Sequence, residues 1–306
     1  METKQGDINK IIKLNIPQFC DLMGVECQHE DVSAFNLKEA PGKAFDEVCN
    51  FDFFALYLKH INCGPLQYGM TTYDYDAGTI VCIGPNQVVK LQHKREDPVI
   101  DCDTIVFSPA LLHGSSLAKK MQRYSFFAYS SNEALHLTDD EQLIVKGCMD
   151  KIRREASDET DQHSRDIILM NLELLLEYCL RFYDRQFTTR QEVNRNLLSR
   201  FETLLNEYLQ KGLQREQGLP TVKYFADKAC LSPNYFGDLV KKLTGRTAQE
   251  YILNRVVDLG KEMLLGSEDS INDIAYSLGF QYPQHFTRFF KNKTGMTPME
   301  FRKASR

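Results

Sequence analysis

Hydrophobic and polar positions divide the chain into an N-terminal stretch of short apolar runs and a longer helical remainder. In residues 1–137 the runs are separated by turn residues, a pattern typical of β-strands. The predicted strands are Phe51–Leu58, Leu66–Tyr75, Thr79–Ile83, Thr104–Phe107 and Arg123–Tyr129. The turn signals are Pro41-Gly42, Gly64-Pro65, Asp76-Ala77-Gly78 and Gly84-Pro85. Regular short strands favour a β-sandwich or barrel over alternating strands and helices.

Helical patterning begins at Thr138, which forms a capping box with Glu141 and starts a helix that runs to about Ile152. A second helix is predicted at Ser164–Asp184, because its apolar residues recur at spacings of three and four. These residues are Ile167, Ile168, Leu172, Leu175, Leu176, Cys179, Leu180 and Tyr183. The stripe either packs on its own domain or forms a helix-pair dimer interface, and the pattern leaves both alternatives open.

The polar stretch Arg185–Asn196 is a linker or a helix start, and a further amphipathic helix follows at Leu197–Leu213. The rest of the chain contains an internal repeat. At an offset of 50, Phe236 matches Phe286, and Thr244-Gly245 matches Thr294-Gly295. Upstream of the turn the offset is 49, so the second turn is one residue longer.

Each copy has the signals of a helix-turn-helix. Ser232 and Ser270 are predicted N-caps, and Pro233 takes the first position of a helix. Gly279 follows the end of the first helix of copy two, where a left-handed conformation is favoured, and Gly245 and Gly295 end the second helices. The first unit is predicted at about 221–244 and the second at about 270–294.

The second helix of each copy has a polar face opposite its apolar face. In copy one this face carries Asn234, Tyr235, Gly237, Asp238, Lys241 and Lys242. In copy two it carries Gln284, His285, Thr287, Arg288, Lys291 and Lys293. Arg can hydrogen-bond guanine through two bonds, and Asn or Gln can do so with adenine. These twelve residues are therefore the candidate DNA-binding set, with Arg288 the best base reader. The alternative for any single residue is the solvated side of an amphipathic helix.

Charge is distributed unevenly. The chain has a net charge of −5, yet residues 220–306 carry 13 basic and 9 acidic side chains. A basic segment on an acidic body suits a DNA-binding domain attached to another domain. No apolar run approaches the roughly 18 residues that span a membrane, and the polar start lacks the pattern of a signal peptide.

Nine cysteines without a C-x-x-C pair indicate reduced thiols in the cytoplasm rather than disulfides or a zinc site. His29, His60, His93, His113 and His136 stand alone, without the spacing of a metal-binding cupin. Neither a metal nor another cofactor is expected.

From about Leu204 to Arg302 the chain resembles the AraC/XylS family of bacterial transcription regulators. The resemblance rests on Ile274-Ala275-x-x-Leu278-Gly279-Phe280, Phe286-x-Arg288-x-Phe290-Lys291 and Gly295-Met-Thr-Pro298-x-x-Phe301-Arg302. It implies a seven-helix, all-α domain in which the two units flank a linking helix, here at about Ala248–Leu265. The two recognition helices of such a domain dock about one turn of DNA apart. Copy one departs from the pattern at Gly237-Asp238, and copy two has Tyr282 where relatives carry a capping Ser.

The resemblance also implies an α+β chain with a cupin-like β-barrel or sandwich as N-terminal sensor and a helical dimerisation segment. The expected domains are 1–137 as sensor, 138–196 as helical connector and 197–306 as DNA-binding domain. The expected partners are double-stranded DNA, a small-molecule effector whose binding residues are unknown, a second copy and, for an activator, RNA polymerase. No membrane partner is expected.

Other functions are weighed against this regulator. A cupin-type enzyme fused to a DNA-binding module requires a histidine pattern that the sequence lacks. DNA repair by alkyl transfer requires a zinc-held cysteine cluster, and Cys230 in the first turn suggests a structural role. An architectural binder would rely on phosphate contacts and more positive charge.

Overall fold

The computed structural model describes residues 11–39, 45–60, 66–68, 71–73, 78–93, 100–130, 133–157, 161–189 and 191–304. The chain divides into two compact units, Met1–Thr188 and Thr189–Arg306. The first is rich in β-strands and the second is helical, so the α+β class is confirmed. None of the helices in the described ranges is long and apolar enough to cross a membrane.

The strands of the first unit form two main sheets and a hairpin. They are β1 (Ile12–Leu14), β2 (Val32–Asn36), β3 (Phe45–Phe51), β4 (Phe54–Lys59), β5 (Leu66–Tyr68), β6 (Thr71–Tyr73), β7 (Thr79–Ile83), β8 (Val88–His93), β9 (Cys102–Phe107) and β10 (Leu135–His136). One sheet has the order β10-β7-β4-β9-β2 and is antiparallel throughout. The other has the order β1-β3-β8, and β5 pairs with β6.

One apolar core joins the facing sides of the two main sheets. Tyr57 and Val81 of the larger sheet belong to the same buried cluster as Phe51 of the smaller sheet. Helix α1 (Ile16–Met23) closes the core with Phe19, whose ring meets that of Phe51 edge-on at 5.3 Å. The helix begins at a capping box between Asn15 and Gln18.

Two of the predicted strands are corrected. The run Phe51–Leu58 is split, because β3 ends at Phe51 and β4 begins at Phe54. The segment Arg123–Tyr129 forms short 3-10 helices rather than a strand. A strand would point Phe126 and Phe127 to opposite faces, whereas both are buried here, with Phe126 stacked on Tyr183 at 5.4 Å.

Several predicted features lie partly or wholly outside the described residues. Pro41-Gly42, Gly64-Pro65 and Asp76-Ala77 are among them, as are parts of Leu66–Tyr75. The described parts of that last run are β5 and β6.

Three helices complete the first unit: α2 (Ser116–Lys120), α3 (Asp139–Ser157) and α4 (Ser164–Thr189). The capping box is confirmed at the start of α3, where Thr138 Oγ1 accepts from the Glu141 amide and Glu141 accepts from the Thr138 amide. Helix α4 runs beyond the predicted end at Asp184. Its Gln186 side chain accepts from the His136 amide at 2.8 Å and donates to the Ala134 carbonyl at 3.1 Å. These two hydrogen bonds hold the last turns of α4, which are polar, against the segment at β10.

The apolar stripe of α4 packs largely on its own unit. Six of its eight predicted members are buried, namely Ile168, Leu172, Leu175, Leu176, Cys179 and Tyr183. Ile167, a seventh predicted member, is exposed instead, as are Met170 and Leu174 on the same helix.

The second unit is all helical within the described residues. Its helices are α5 (Gln191–Gln210), α6 (Gln214–Gln217), α7 (Val222–Lys228), α8 (Pro233–Thr244), α9 (Ala248–Gly266), α10 (Ile271–Ser277), α11 (Pro283–Thr294) and α12 (Pro298–Ala304). Helix α5 starts six residues before the predicted Leu197, so the polar stretch before it is helical rather than a loop. The linking helix α9 matches its prediction within one residue, and its Ile252 and Val256 are fully buried in the core of this unit.

Candidate nucleic-acid interface

The first helix-turn-helix consists of α7 and α8. Its turn passes through Cys230, which has a left-handed backbone with φ of 57°. Ser232 then caps α8, since its hydroxyl accepts from the Tyr235 amide at 3.2 Å, and Pro233 occupies the first turn. The helix ends at Gly245 with φ of 71°. The predicted cap, start and stop of α8 are all confirmed.

The second helix-turn-helix consists of α10 and α11. Ser270 caps α10 by accepting from the Asp273 amide at 3.1 Å. Gly279, the counterpart of Cys230, has φ of 90°. A Cβ on Gly279 would lie 2.7 Å from the carbonyl oxygen of Gln214 in α6 and 3.0 Å from the carbonyl carbon of Gly218, so the backbone of α6 and of the residues after it passes too close for any side chain. Helix α11 begins after Tyr282 without a side-chain cap, as the departure at that position predicts.

Aromatic packing positions both second helices. Phe236 of α8 is fully buried and meets Phe201 edge-on at 5.2 Å. In α11 Phe286 and Phe290 are fully buried, with ring centroids 5.6 Å apart. With these faces fixed in the core, the remaining face of each helix is oriented to solvent.

The exposed face of α8 carries fewer polar residues than predicted. Asn234, Lys241 and Lys242 are exposed, and Gly237 and Asp238 are half-buried. The expectation that Tyr235 lies on this face is wrong, because its side chain is only 7% exposed. Helix periodicity placed Tyr235 among the polar positions, and its burial is visible only in the structure.

The exposed face of α11 is more basic. Gln284, His285, Arg288, Lys291 and Lys293 are all exposed. Thr287 is half-buried and donates its hydroxyl to the Pro283 carbonyl at 3.2 Å. The Lys293 ammonium donates to Asn254 Oδ1 at 3.2 Å, which connects α11 with the linking helix.

Two exposed residues at the helix ends extend this face beyond the predicted set. Arg246 follows the last turn of α8, and Tyr282 precedes α11 with its ring 5.3 Å from that of His285. Both lie just outside the helical runs that defined the prediction, so helix periodicity could not include them. Their exposure next to the recognition helices is visible only in the structure.

The helix after each copy begins with the same capping box. Thr247 precedes α9 and Glu250 lies in its first turn. In the same way, Thr297 precedes α12 and Glu300 lies in its first turn. The backbone amide of Thr247 donates to Glu250 and lowers the pKa of that carboxyl, and the Thr297 amide does the same for Glu300. The repeat therefore extends to these caps. Arg302 has a structural contact, since its Nε donates to the Leu264 carbonyl at 3.0 Å.

A family model described as a helix-turn-helix domain matches residues 225–304, which include both turns and both second helices. The related proteins are AraC-family regulators. The C-terminal unit contains an AraC-type helix-turn-helix domain. The predicted resemblance is thereby confirmed for this part of the chain.

Curated relatives match this AraC-type domain and, in one case, a longer segment. An uncharacterised HTH-type transcriptional regulator of Bacillus subtilis, YobQ, is 34% identical over 27% of this chain and 34% of its own length. The bifunctional transcriptional activator and DNA repair enzyme AdaA of the same species is 33% identical over 35% of this chain and 50% of its own. The transcriptional activator RhaS of Escherichia coli is 30% identical over 49% of each chain. The chain thus spans half or less of these relatives.

A solved structure, the C-terminal domain of the response regulator yesN from Fusobacterium nucleatum, is 25% identical and covers 33% of this chain and 96% of that one. Its TM-score is 0.29, so the assignment of the AraC-type domain rests on the sequence matches.

The first unit contributes no metal centre within the described ranges, where no group of three His, Cys, Asp or Glu side chains is placed to hold an ion. His60 Nε2 lies 2.6 Å from Asp103 Oδ2, a carboxylate that also accepts from Asn36 and faces Lys146. The side chain of His93 lies outside the described residues.

Proposed function

We propose that this chain is a sequence-specific transcription regulator that binds double-stranded DNA through α8 and α11. The observation that carries the proposal is the duplicated helix-turn-helix, in which each second helix buries an aromatic face and exposes a polar one. A recognition helix enters the major groove with such a face, and its first turns contact base edges.

The exposed residues divide into base readers and phosphate contacts. Arg288 and Gln284 lie in the first half of α11, and their side chains can form paired hydrogen bonds with guanine and adenine. Asn234 occupies the equivalent early position in α8. Lys241, Lys242, Lys291 and Lys293 lie in the last turns, where cations favour phosphate contacts that position the protein without reading sequence. His285 and Tyr282 lie beside the start of α11 and extend its contact surface.

Footprinting of the full-length protein on DNA from upstream of its own gene, with competitor DNA, tests this function. We expect discrete protected sites that span two successive helical turns. Arg288→Ala should weaken binding to them by about 1–3 kcal/mol and relax base preference under the second helix. Arg154→Ala removes the same charge from an exposed position on α3 and should bind like wild type. Uniform, salt-sensitive binding by all three proteins would reject sequence reading.

For the first unit we propose a sensor role within the domain plan 1–137, 138–196 and 197–306. Two sheets that enclose one apolar core are compatible with a cupin-like barrel or sandwich, and barrel interiors are common ligand sites. A small-molecule effector there would shift the balance between DNA-competent and incompetent states. The chain would act in the cytoplasm, where its target DNA lies. Denaturation of the first unit at the same midpoint with and without every tested metabolite would argue against a sensor.

We also propose that two copies associate through α4. Ile167, Met170 and Leu174 are spaced by three and four residues, and they are between 40% and 71% exposed although apolar. Arg181 and Asp184 continue the same helix and supply charges of both signs at its end. Sedimentation should show a dimer at micromolar concentration, and Leu174→Glu should shift it to monomer. If the regulator is an activator, RNA polymerase is a further partner.

We propose a non-enzymatic role, because the relatives are mainly transcription regulators. AdaA is named as a DNA repair enzyme as well, and half of its length is covered by the match. A cupin-type enzyme fused to a DNA-binding module would hold a metal ion in stoichiometric amount, which metal analysis of the purified protein would reveal.

A further inference from the structure

Two cysteine thiols of the first unit are brought into contact by the turn at the end of α1. Cys20 lies in the second half of α1 and is fully buried, whereas Cys27 is partly exposed. Gly24 ends the helix with φ of 74°, and the Val25 amide donates to the Cys20 carbonyl at 3.0 Å. This left-handed cap turns the chain back on the helix. Cys27 therefore packs against the core cluster that contains Cys20.

Neighbouring contacts hold the two sulfur atoms together. The Cys20 thiol is hydrogen-bonded to the Cys27 thiol and to the Ser33 hydroxyl. The same Ser33 hydroxyl accepts from the amide of Gln28, the residue after Cys27, at 3.4 Å. The Gln28 side chain also accepts from the Ala34 amide at 2.8 Å. The pair is thus fixed by α1, by the segment after it and by β2.

Exposure distinguishes Cys27 from the other described cysteines of the first unit. Those others are all buried, namely Cys20, Cys49, Cys82, Cys102, Cys148 and Cys179. A dissolved oxidant reaches a buried thiol only when the fold opens locally. Cys27 can be reached without such opening, and its thiol donates to the His29 carbonyl at 3.5 Å. The accessible thiol of this unit is therefore one that already has a second thiol as its neighbour.

We propose that Cys20 and Cys27 form a reversible disulfide when the protein meets a peroxide. The Cys27 thiolate attacks a peroxide oxygen, so that an S–O bond forms and the O–O bond breaks. The hydroxide that leaves takes up the proton that Cys27 had lost. The Cys20 sulfur then attacks the sulfenic sulfur of Cys27, so that the S–S bond forms, the S–O bond breaks, and hydroxide leaves with the Cys20 proton as water. The two thiols lose two electrons, and hydrogen peroxide is reduced to water.

Burial gives the two sulfur atoms different roles. Desolvation, together with the neighbouring Cys27, raises the pKa of the Cys20 thiol to about 12. A thiol that stays protonated is a poor nucleophile toward peroxide. Cys27 is therefore oxidised first, and Cys20 resolves the sulfenic acid. The disulfide is uncharged, so it is compatible with the apolar core in which Cys20 lies. This inference is independent of the DNA-binding role proposed above.

Mass spectrometry of the full-length protein tests the disulfide. Trypsin cleaves after Lys13 and Lys38, so Cys20 and Cys27 fall in one peptide that contains no other cysteine. After treatment with hydrogen peroxide and alkylation in denaturant, this peptide should carry no alkyl group and should lack two hydrogens. Dithiothreitol added before alkylation should restore both sites. Two alkylated cysteines at a peroxide dose that oxidises Cys230 would overturn the proposal, as would a sulfinic acid at Cys27 beside a reduced Cys20.

Three variants separate this pair from general oxidation. In Cys27→Ser, peroxide should leave Cys20 open to alkylation after denaturation, and Cys27→Ala repeats the test without the added hydroxyl. Cys230→Ser removes an exposed thiol of the second unit and should form the disulfide to the same extent as wild type. If Cys20 becomes resistant to alkylation in both Cys27 variants, it is oxidised without Cys27, and the assigned roles are wrong.

The rate of reduction tests the position of the product in the core. A dithiothreitol thiolate has access to the Cys27 sulfur, and its attack there expels Cys20, whose raised pKa makes it a slow leaving group. Reduction of the native protein should be at least about tenfold slower than reduction of the same protein in urea. Equal rates would place the disulfide outside the core and overturn the geometry on which the proposal rests.

Discussion

The two helix-turn-helix copies share a scaffold and differ on the face they expose. Both second helices begin at proline, end at a left-handed glycine and lead into a Thr-Glu capping box. At the matched position where copy two has the exposed Arg288, copy one has the half-buried Asp238. The difference indicates that the fold of each copy is fixed by turns and aromatic packing, while the polar face is free to diverge. The copies therefore serve as controls for each other.

The turn is where the scaffold itself differs most, and it gives the largest expected effect. Gly279→Ala places a Cβ 2.7 Å from the Gln214 carbonyl in a left-handed backbone, which should lower the free energy of unfolding by about 2 kcal/mol or more. Cys230→Gly at the matched position relieves left-handed strain of about 1–2 kcal/mol but adds about 0.5–1 kcal/mol of backbone entropy cost. Its stability should therefore stay within about 1 kcal/mol of wild type.

Urea denaturation of the full-length variants, followed by far-ultraviolet circular dichroism, measures both changes. A loss of only about 1 kcal/mol in Gly279→Ala, the ordinary cost of a left-handed residue other than glycine, would mean that the left-handed turn alone sets the cost. The close contact with the Gln214 carbonyl of α6 would then have no role.

The charge difference on the exposed faces gives the next effect. Exchanging Asp238 for Arg in copy one should tighten DNA binding and steepen the dependence of log K on log salt by about one, because one more phosphate becomes neutralised. Exchanging Arg288 for Asp in copy two should weaken binding to the specific site by more than Arg288→Ala does. Fluorescence anisotropy over a range of salt concentrations measures both slopes. If Asp238→Arg weakens binding at every salt concentration, Asp238 itself contacts a base. Copy one then contributes to sequence reading as copy two does.

The sequence predicts the second unit far better than the first, for physical reasons. Caps and stops are local, so Ser232, Ser270 and Gly245 could be assigned from neighbouring residues alone. Tyr235 could not, because whether an amphipathic side chain is buried depends on tertiary contacts. In the first unit, the pairing of Tyr57 with Thr104 joins residues 47 positions apart, and no local pattern specifies it. The aromatic run around Phe126 and Phe127 has the composition of a strand. Its 3-10 conformation goes with the stacking of Phe126 on Tyr183 of α4, a contact that the local sequence does not specify.

The N-terminal ends of the two recognition helices give the smallest expected effect. Helix α8 has a side-chain cap and α11 does not, so one substitution in each can remove this difference. Ser232→Ala removes the hydroxyl that accepts from the Tyr235 amide at 3.2 Å, which should cost about 1 kcal/mol of stability. Tyr282→Ser introduces a cap where α11 has none and should add up to about 1 kcal/mol. Thermal denaturation of both single variants and the double variant measures the two effects, which should be additive if the caps act independently.

The DNA affinity of Tyr282→Ser decides what its missing cap means. Tyr282 is exposed and its ring lies against His285, beside the proposed base readers. If the stabilised variant binds DNA as well as wild type, the uncapped start is a tolerated loss of stability. If it binds more weakly despite its higher stability, the Tyr282 ring contributes to DNA contact. Copy two then lacks a helix cap at this position because the aromatic side chain extends its recognition surface.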